Sequence, residues 1–288
     1  MARVLVLGGG GMAGHMVRLL LIERGHDVYS IGRSVSPDWD AVDVEDDRRL
    51  KDYIAQKRPE VVVNCIGILI NESKINPERS IRINSLLPWI LSRLGSEFSY
   101  RLIHLSSDCV FSGKSGPYRE DDFRDADDTY GRAKAMGELM NERDLVIRTS
   151  IVGPELKTNG TGLFGWFMRQ SGKINGYACA QWSGVTTLEM AKAVNSAIGK
   201  GTTGLIHLTN GNPISKYDLL LLFKEIWKRF DIEIERDVSR VSDRSLISTR
   251  ADYLYPVPSY REMLVAMKAF MDKHQELYNI YEKSAVRY

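Results

Sequence analysis

Apolar residues in the first half of the chain come in short dense runs, separated by longer stretches in which they recur every three or four positions. Arg3 to Leu7 is a leucine and β-branched run ending at glycine, and Met12 to Arg24 then carries helical periodicity with Gly25 as its stop. Val28 to Ile31 supplies a second strand and Asp46 to Gln56 a second helix. Pro59 punctuates before Val61-Val62-Val63, an uninterrupted apolar run of the kind buried on both faces of a parallel sheet. The rhythm repeats with a helix over Ile75 to Leu94, a strand over Leu102 to Leu105, a helix over Tyr130 to Glu142 and a strand over Leu145 to Arg148. Strands alternating with helices of this length pair in parallel through right-handed crossovers, which predicts an α/β, Rossmann-like doubly wound sheet.

Beyond Arg148 the pattern changes. Gly153-Pro154 and Asn159-Gly160-Thr161-Gly162 interrupt it, and Leu205 to Leu208 returns to a strand-like run. The expected division is therefore interleaved: residues 1–154 and about 185–212 form the cofactor domain, and residues about 155–184 and 213–288 a smaller α/β substrate lobe. Tyr260 to Tyr281 spaces Met263, Met267, Phe270, Met271, Leu277 and Tyr281 as one amphipathic helix, which packs on the lobe or on a second copy of the chain. Homodimerisation is an expectation on that basis.

Composition narrows the classes without choosing among them. A chain of 288 residues with 43% hydrophobic positions has material for one large core, or one core and a lobe. Its 39 basic residues are scattered among 37 acidic ones without a long block, which disfavours nucleic acid as a partner. Cys65, Cys109 and Cys179 are far apart, odd in number and in no metal-ligand spacing, so neither a disulfide framework nor a metal site is expected and a reducing cytoplasm fits best. The apolar start Val4 to Leu7 is too short to span a membrane and runs into four glycines, so it reads neither as a signal peptide nor as an anchor.

The chemistry-bearing motifs fall at the carboxyl ends of the strands, where doubly wound sheets bind ligands. After the first strand, Gly8, Gly11 and Gly14 stand in G-x-x-G-x-x-G spacing, with Met12 opening the helix. Glycines let the backbone turn tightly against a pyrophosphate whose charge is met by the helix N-terminus. Cys65, Ile66 and Gly67 follow the Val61 strand and are assigned to the same cofactor. Arg33 follows the second strand, about where an acid would hold an adenosine 2′-hydroxyl; an arginine suits a 2′-phosphate, so NADPH is favoured with NADH as the alternative. Asp43 and Val44 are placed by the adenine, or are ordinary loop residues.

Ser107 follows the Leu102 strand, and Tyr130 and Lys134 stand one helical turn apart. A free tyrosine loses its proton only near pH ~10, so a tyrosine acting at neutral pH needs a nearby cation. The i, i+4 spacing sets the Lys134 ammonium beside the Tyr130 phenol and favours its ionised form. Ser107 then binds the carbonyl that Tyr130 protonates, which is equipment for hydride transfer to a ketone.

Three stretches carry a family resemblance: the Gly8, Gly11, Gly14 spacing; Leu105-Ser-Ser-Asp-Cys-Val-Phe111 followed by Gly113; and Tyr130-Gly-Arg-Ala-Lys134, with Arg148-Thr-Ser150 beyond. The chain resembles the extended short-chain dehydrogenase/reductases, and within them the dTDP-4-dehydrorhamnose reductase group. The resemblance implies that Ser107 takes the place of the catalytic hydroxyl residue, Tyr130 of the proton donor and Lys134 of the cofactor-ribose lysine. It also implies that Asn84 organises the proton path. Cys109 stands where that family usually has tyrosine, Asn64-Cys65-Ile66-Gly67 replaces an alanine-rich stretch, and Gly184-Val185-Thr186 lacks a proline. Related dehydratases carry Asp-Glu after the hydroxyl residue; here Asp108 is followed by Cys109, a packing residue, so simple reduction is expected.

The substrate expected from the resemblance is a nucleotide-linked 4-keto-6-deoxyhexose on the way to surface polysaccharide. Trp166, Arg169, Tyr177, Trp182, Tyr217, Arg244 and Arg250 offer aromatic and guanidinium groups for a base and a pyrophosphate. Asp108, Trp182 and Arg244 are the expected contacts. The competing classes are a nucleotide-sugar epimerase that retains its NAD(P), and a non-catalytic NADP-binding subunit like the regulatory subunit of methionine adenosyltransferase.

Overall fold

The structure, a computed structural model, describes residues 1–253 and 255–282. The chain opens with β1 (Arg3–Leu7), α1 (Met12–Glu23), β2 (Asp27–Gly32), β3 (Asp40–Ala41), α2 (Asp47–Lys57) and β4 (Val61–Asn64). It continues through α3 (Ile70–Ile75), α4 (Pro77–Ser80), a π-helical turn (Ile81–Leu86), α5 (Leu87–Phe98), β5 (Arg101–Leu105), α6 (Thr129–Met136), β6 (Leu145–Arg148) and β7 (Ile151–Val152). The last third holds α7 (Leu163–Met168), β8 (Gly172–Tyr177), β9 (Ala180–Trp182), β10 (Val185–Thr186), α8 (Thr187–Lys200), β11 (Gly204–His207), β12 (Ile214–Ser215) and α9 (Lys216–Ile226). It closes with β13 (Ile232–Asp237), β14 (Ser242–Asp243), α10 (Tyr260–Lys273) and α11 (Gln275–Glu282).

Seven strands form one parallel sheet in the order β11-β6-β5-β4-β1-β2-β3, so the doubly wound expectation is met. Alternate side chains of its apolar runs serve opposite faces, which is why these strands show no polar alternation. Val4, Val6, Val61 and Val63 pack with α1 and α8, whereas Leu5, Leu7 and Val62 pack with α2 and α5. The strand order reverses between β1 and β4, and the opening at that reversal is where such sheets take ligands. Three small sheets lie outside the main one: β7 beside β10, β8 beside β13, and β9 between β12 and β14.

Three predicted helices differ. The helix expected over Ile75 to Leu94 is broken at Asn76, whose backbone is extended (φ −129°, ψ 76°) because a residue preceding proline is disfavoured in the helical region. Asn76 then caps α4 by accepting the Arg79 N–H at 3.2 Å. The helix expected over Tyr130 to Glu142 ends at Gly137, where a Cβ would lie 2.0 Å from the Asn84 carbonyl oxygen. The C-terminal stretch is two helices meeting at His274 (φ −116°, ψ 45°), with Ser259 and Glu262 forming a capping box at the start. Its apolar face is covered by its own chain: Met263, Met267 and Met271 are buried in the core, and the Tyr278 hydroxyl meets His15 Nε2 on α1 at 2.9 Å.

Candidate active site

The glycine turn is built by close approach. Gly8 takes a left-handed backbone (φ +85°), and the N–H groups of Gly8 and Gly9 donate to the Ile31 carbonyl at 2.9 and 3.0 Å, which seats the turn on the end of β2. A Cβ on Gly14 would lie 2.1 Å from the Gly8 carbonyl oxygen, so only glycine lets α1 start this close to β1. Gly11 is the N-cap of α1 and no side chain caps that helix, which leaves its positive end turned to the sheet edge. The loop after β4 flanks the turn: Cys65 N–H donates to the Leu7 carbonyl at 3.2 Å, and Ile66 lies 3.0 Å from where a Gly8 Cβ would be. These residues fit a dinucleotide, with Gly8, Gly11, Met12 and Gly14 on one side and Cys65, Ile66 and Gly67 on the other.

Arg33 stands exposed just beyond β2. Asp43 accepts the Glu45 N–H at 3.0 Å, and Val44 is packed in the core at 5% exposure.

Ser107 and Tyr130 come together. Ser107 caps a short 3-10 turn (Asp108–Val110), its Oγ accepting the Cys109 N–H at 3.1 Å and lying within hydrogen-bond reach of the Tyr130 phenol. Asp128 caps α6 by accepting the Gly131 N–H at 2.9 Å. A Cβ at Gly131 would lie 2.2 Å from the Cys109 carbonyl oxygen, and this close approach seats Tyr130 against the β5 loop. Burial raises the phenol's pKa, the charge that Cys109 can carry adds to it, and the Ser107 hydrogen bond works the other way.

Lys134 lies one turn further along α6, and its Nζ donates to the Leu105 carbonyl at 2.6 Å. Burial holds the Tyr130 phenol protonated, as a proton donor requires. Burial lowers the Lys134 pKa to about 8, against the Glu138 carboxylate and Cys65, which raise it. If its ammonium is needed, kcat/KM falls with rising pH through about 8; a flat pH–rate profile to pH ~10, where an ordinary lysine titrates, would remove the charge requirement.

Asn84 is fully buried on the π-helical turn, with Oδ1 accepting the Ile68 N–H at 2.9 Å and Nδ2 donating to the Ile68 carbonyl at 2.9 Å and to Ser80 Oγ at 3.2 Å. Its side chain is committed to holding the loop after β4, which makes it a positioning residue.

Of the expected substrate contacts, Asp108 is buried next to Ser107, and Arg244 reaches the same spot, its Nη1 3.5 Å from Cys109 Sγ and its Nε donating to the Ser112 carbonyl at 3.4 Å. Trp182 does not join them. It is 6% exposed and sits in the core with its ring 5.7 Å from that of Tyr260, since β9 turns it inward between β12 and β14. Arg250 is structural, tied to the Thr203 and Leu205 carbonyls and to Asp252. Two cations were missed in the sequence. Lys216, the first residue of α9, is partly buried, and burial lowers its pKa while the charge of Asp108 raises it. Arg240 lies 5.6 Å over the Tyr177 ring. No spacing signals Lys216, because it is remote in sequence and only the return of α9 to β9 brings it within the field of Asp108. Among the described residues, no cluster of acidic, histidine or cysteine side chains could hold a metal ion, and no helix is long and apolar enough to cross a membrane.

A glycine turn at the switch point of a doubly wound sheet, with serine, tyrosine and lysine gathered on the next strand edge, defines an extended short-chain dehydrogenase/reductase. Residues 2–244 match the model of the RmlD substrate binding domain, and the chain belongs to that family. It is 32% identical over 155 residues to dTDP-4-dehydrorhamnose reductase of Streptomyces griseus, covering 51% of this chain and 49% of that protein. It is 28% identical over 243 residues to a probable dTDP-4,6-dihydroxy-2-methyloxan-3-one 4-ketoreductase of Streptomyces antibioticus, covering 80% and 78%. The match spans about half the length of several curated relatives. A hypothetical dTDP-4-dehydrorhamnose reductase from Sulfolobus tokodaii has the same fold, with a TM-score of 0.74 and 28% identity over 87% of this chain and 93% of that one.

Proposed function

We propose that this protein is an NADPH-dependent reductase of the C4 ketone of a nucleotide-linked 4-keto-6-deoxyhexose, acting in the cytoplasm in deoxysugar and polysaccharide biosynthesis. The observation that carries the reading is the Ser107–Tyr130 pair, set on the β5 edge with a protonated phenol. Residues 1–154 and about 185–212 serve the cofactor and the remainder the substrate. The names of the relatives support the sugar class.

Bound reduced nicotinamide would supply the hydride. Ser107 Oγ orients the substrate carbonyl, and Tyr130 donates its phenolic proton to the carbonyl oxygen as that oxygen gains charge. Lys134 holds a cofactor ribose and keeps a positive charge near the reacting groups. Lys216, Arg240 and Arg244 offer three cations to a nucleotide diphosphate on the substrate side of Ser107. Elimination of water lacks the second carboxylic acid here: burial, with Asp108 adding to it, pushes the Cys109 thiol up to about 12, which makes it a poor proton donor to a departing hydroxyl.

The direct test follows NADPH absorbance with dTDP- and UDP-linked 4-keto-6-deoxyhexoses side by side. Oxidation dependent on one of these sugars is expected; no consumption of NADPH or NADH with either defeats the proposal. Arg33→Ala should narrow the preference for NADPH over NADH, measured as the ratio of kcat/KM values, because its guanidinium is free to meet a 2′-phosphate. An unchanged ratio removes Arg33 from cofactor choice.

A further inference from the structure

The segment between β2 and β3 carries a large side chain that the glycine spacing does not account for. A Cβ on Gly10 would lie 2.8 Å from the Trp39 ring, one on Gly32 would lie 2.6 Å from the indole Nε1, and one on Gly9 would lie 3.5 Å from the Trp39 Cβ. The indole therefore rests on the glycine turn after β1 and on the end of β2 at once, and a side chain at either position 10 or position 32 would displace it.

The segment is fastened in this position. The Trp39 Nε1–H donates to the Ser34 carbonyl at 2.9 Å, and Ser36 pairs with Trp39 as an antiparallel bridge. Asp38 forms an ion pair at 3.1 Å with Arg18, a nearly buried residue of α1. In a doubly wound sheet the adenosine ribose is held between the turn after the first strand and the end of the second. A ribose seated there and an indole touching Gly10 and Gly32 compete for the same space.

We propose that Trp39 closes the adenosine end of the cofactor site, and that the segment from Arg33 to Asp40 must give way for a dinucleotide to bind. The inference rests on the cofactor reading given above. The free energy of moving the segment is subtracted from binding, so affinity is reduced by the fraction of molecules in which the indole is displaced. Arg33, at the root of the same segment, moves with it, so the 2′-phosphate contact forms as the indole leaves.

The test is equilibrium binding of NADPH and of adenosine 2′,5′-bisphosphate, measured by calorimetry without any sugar substrate. Trp39→Ala should tighten both on the order of tenfold, with Trp39→Phe in between. Asp38→Asn, which keeps an oxygen acceptor for Arg18 at a half-exposed position, should loosen the segment and tighten binding in the same direction but less. Weaker binding in Trp39→Ala would make the indole a stacking wall and overturn the proposal, as would unchanged affinity in both the Trp39→Ala and Asp38→Asn proteins. Absence of binding of either ligand by every protein would overturn the cofactor reading itself, and the closure with it.

Discussion

Tyr130→Phe should lower kcat by about 10²- to 10⁴-fold, the range over which a positioned general acid contributes, while the dissociation constant for NADPH stays within about twofold of the parent protein. The phenol is a protonated acid beside Ser107, and burial keeps it protonated at neutral pH. Removing the hydroxyl leaves the ring, and with it the packing of α6 against the β5 loop, because the close approach at that corner is made by Gly131 and Cys109 backbone rather than by the phenol oxygen. The loss should thus fall on turnover. A variant that loses NADPH binding in parallel would mean that the hydroxyl organises the cofactor pocket, and a variant with near-normal turnover would take the proton from elsewhere.

The sequence displays what depends on local periodicity. A run such as Val61-Val62-Val63 announces a strand buried on both faces, and the glycine spacing announces a turn that only small residues allow, because both are properties of a few consecutive residues. The break at Asn76 was also visible, in Pro77, but the apolar spacing on either side concealed it. What did not show was anything decided by a second element arriving from far away. Lys134 reaches the Leu105 carbonyl only once β5 and α6 are packed together. Lys216 comes within the field of Asp108 only through the return of α9, and Trp182 is turned inward by strands that follow it by some thirty residues or more. The Trp39 contact has the same origin: its partners Gly10 and Gly32 stand on two different strand ends.

Arg148→Met should be the most destabilising single substitution around the site, costing about 3 kcal/mol, which corresponds to a fall in Tm of about 6–12 °C. Arg148 and Glu138 are both almost wholly buried and paired at two points, Nε to Oε1 at 2.8 Å and Nη2 to Oε2 at 2.6 Å. The same carboxylate accepts the Ser106 hydroxyl at 2.7 Å and Arg124 Nη1 at 3.1 Å, and the guanidinium lies 4.9 Å over the Phe111 ring. Because arginine can only donate, His207 Nε2 must accept from Arg148 Nη1 at 2.7 Å, which leaves its Nδ1–H to donate to the Ile247 carbonyl at 2.9 Å. Arg124, itself half in solvent, neutralises only part of the charge that Arg148 leaves behind. Replacing both partners, as Glu138→Leu with Arg148→Met, should restore most of the stability, since the cost lies in the orphaned carboxylate. The sign of the pH dependence follows. Glu138 is held below its ordinary value by its hydrogen bonds and charge pairing with Arg148, against the upward push of burial. Its contribution is therefore present above the unfolded glutamate range and is lost as pH falls through the lowered folded value. The double variant should lack that acid-side loss. If it remains as unstable as Arg148→Met alone, the cost lies in packing around Phe111 and not in the charge.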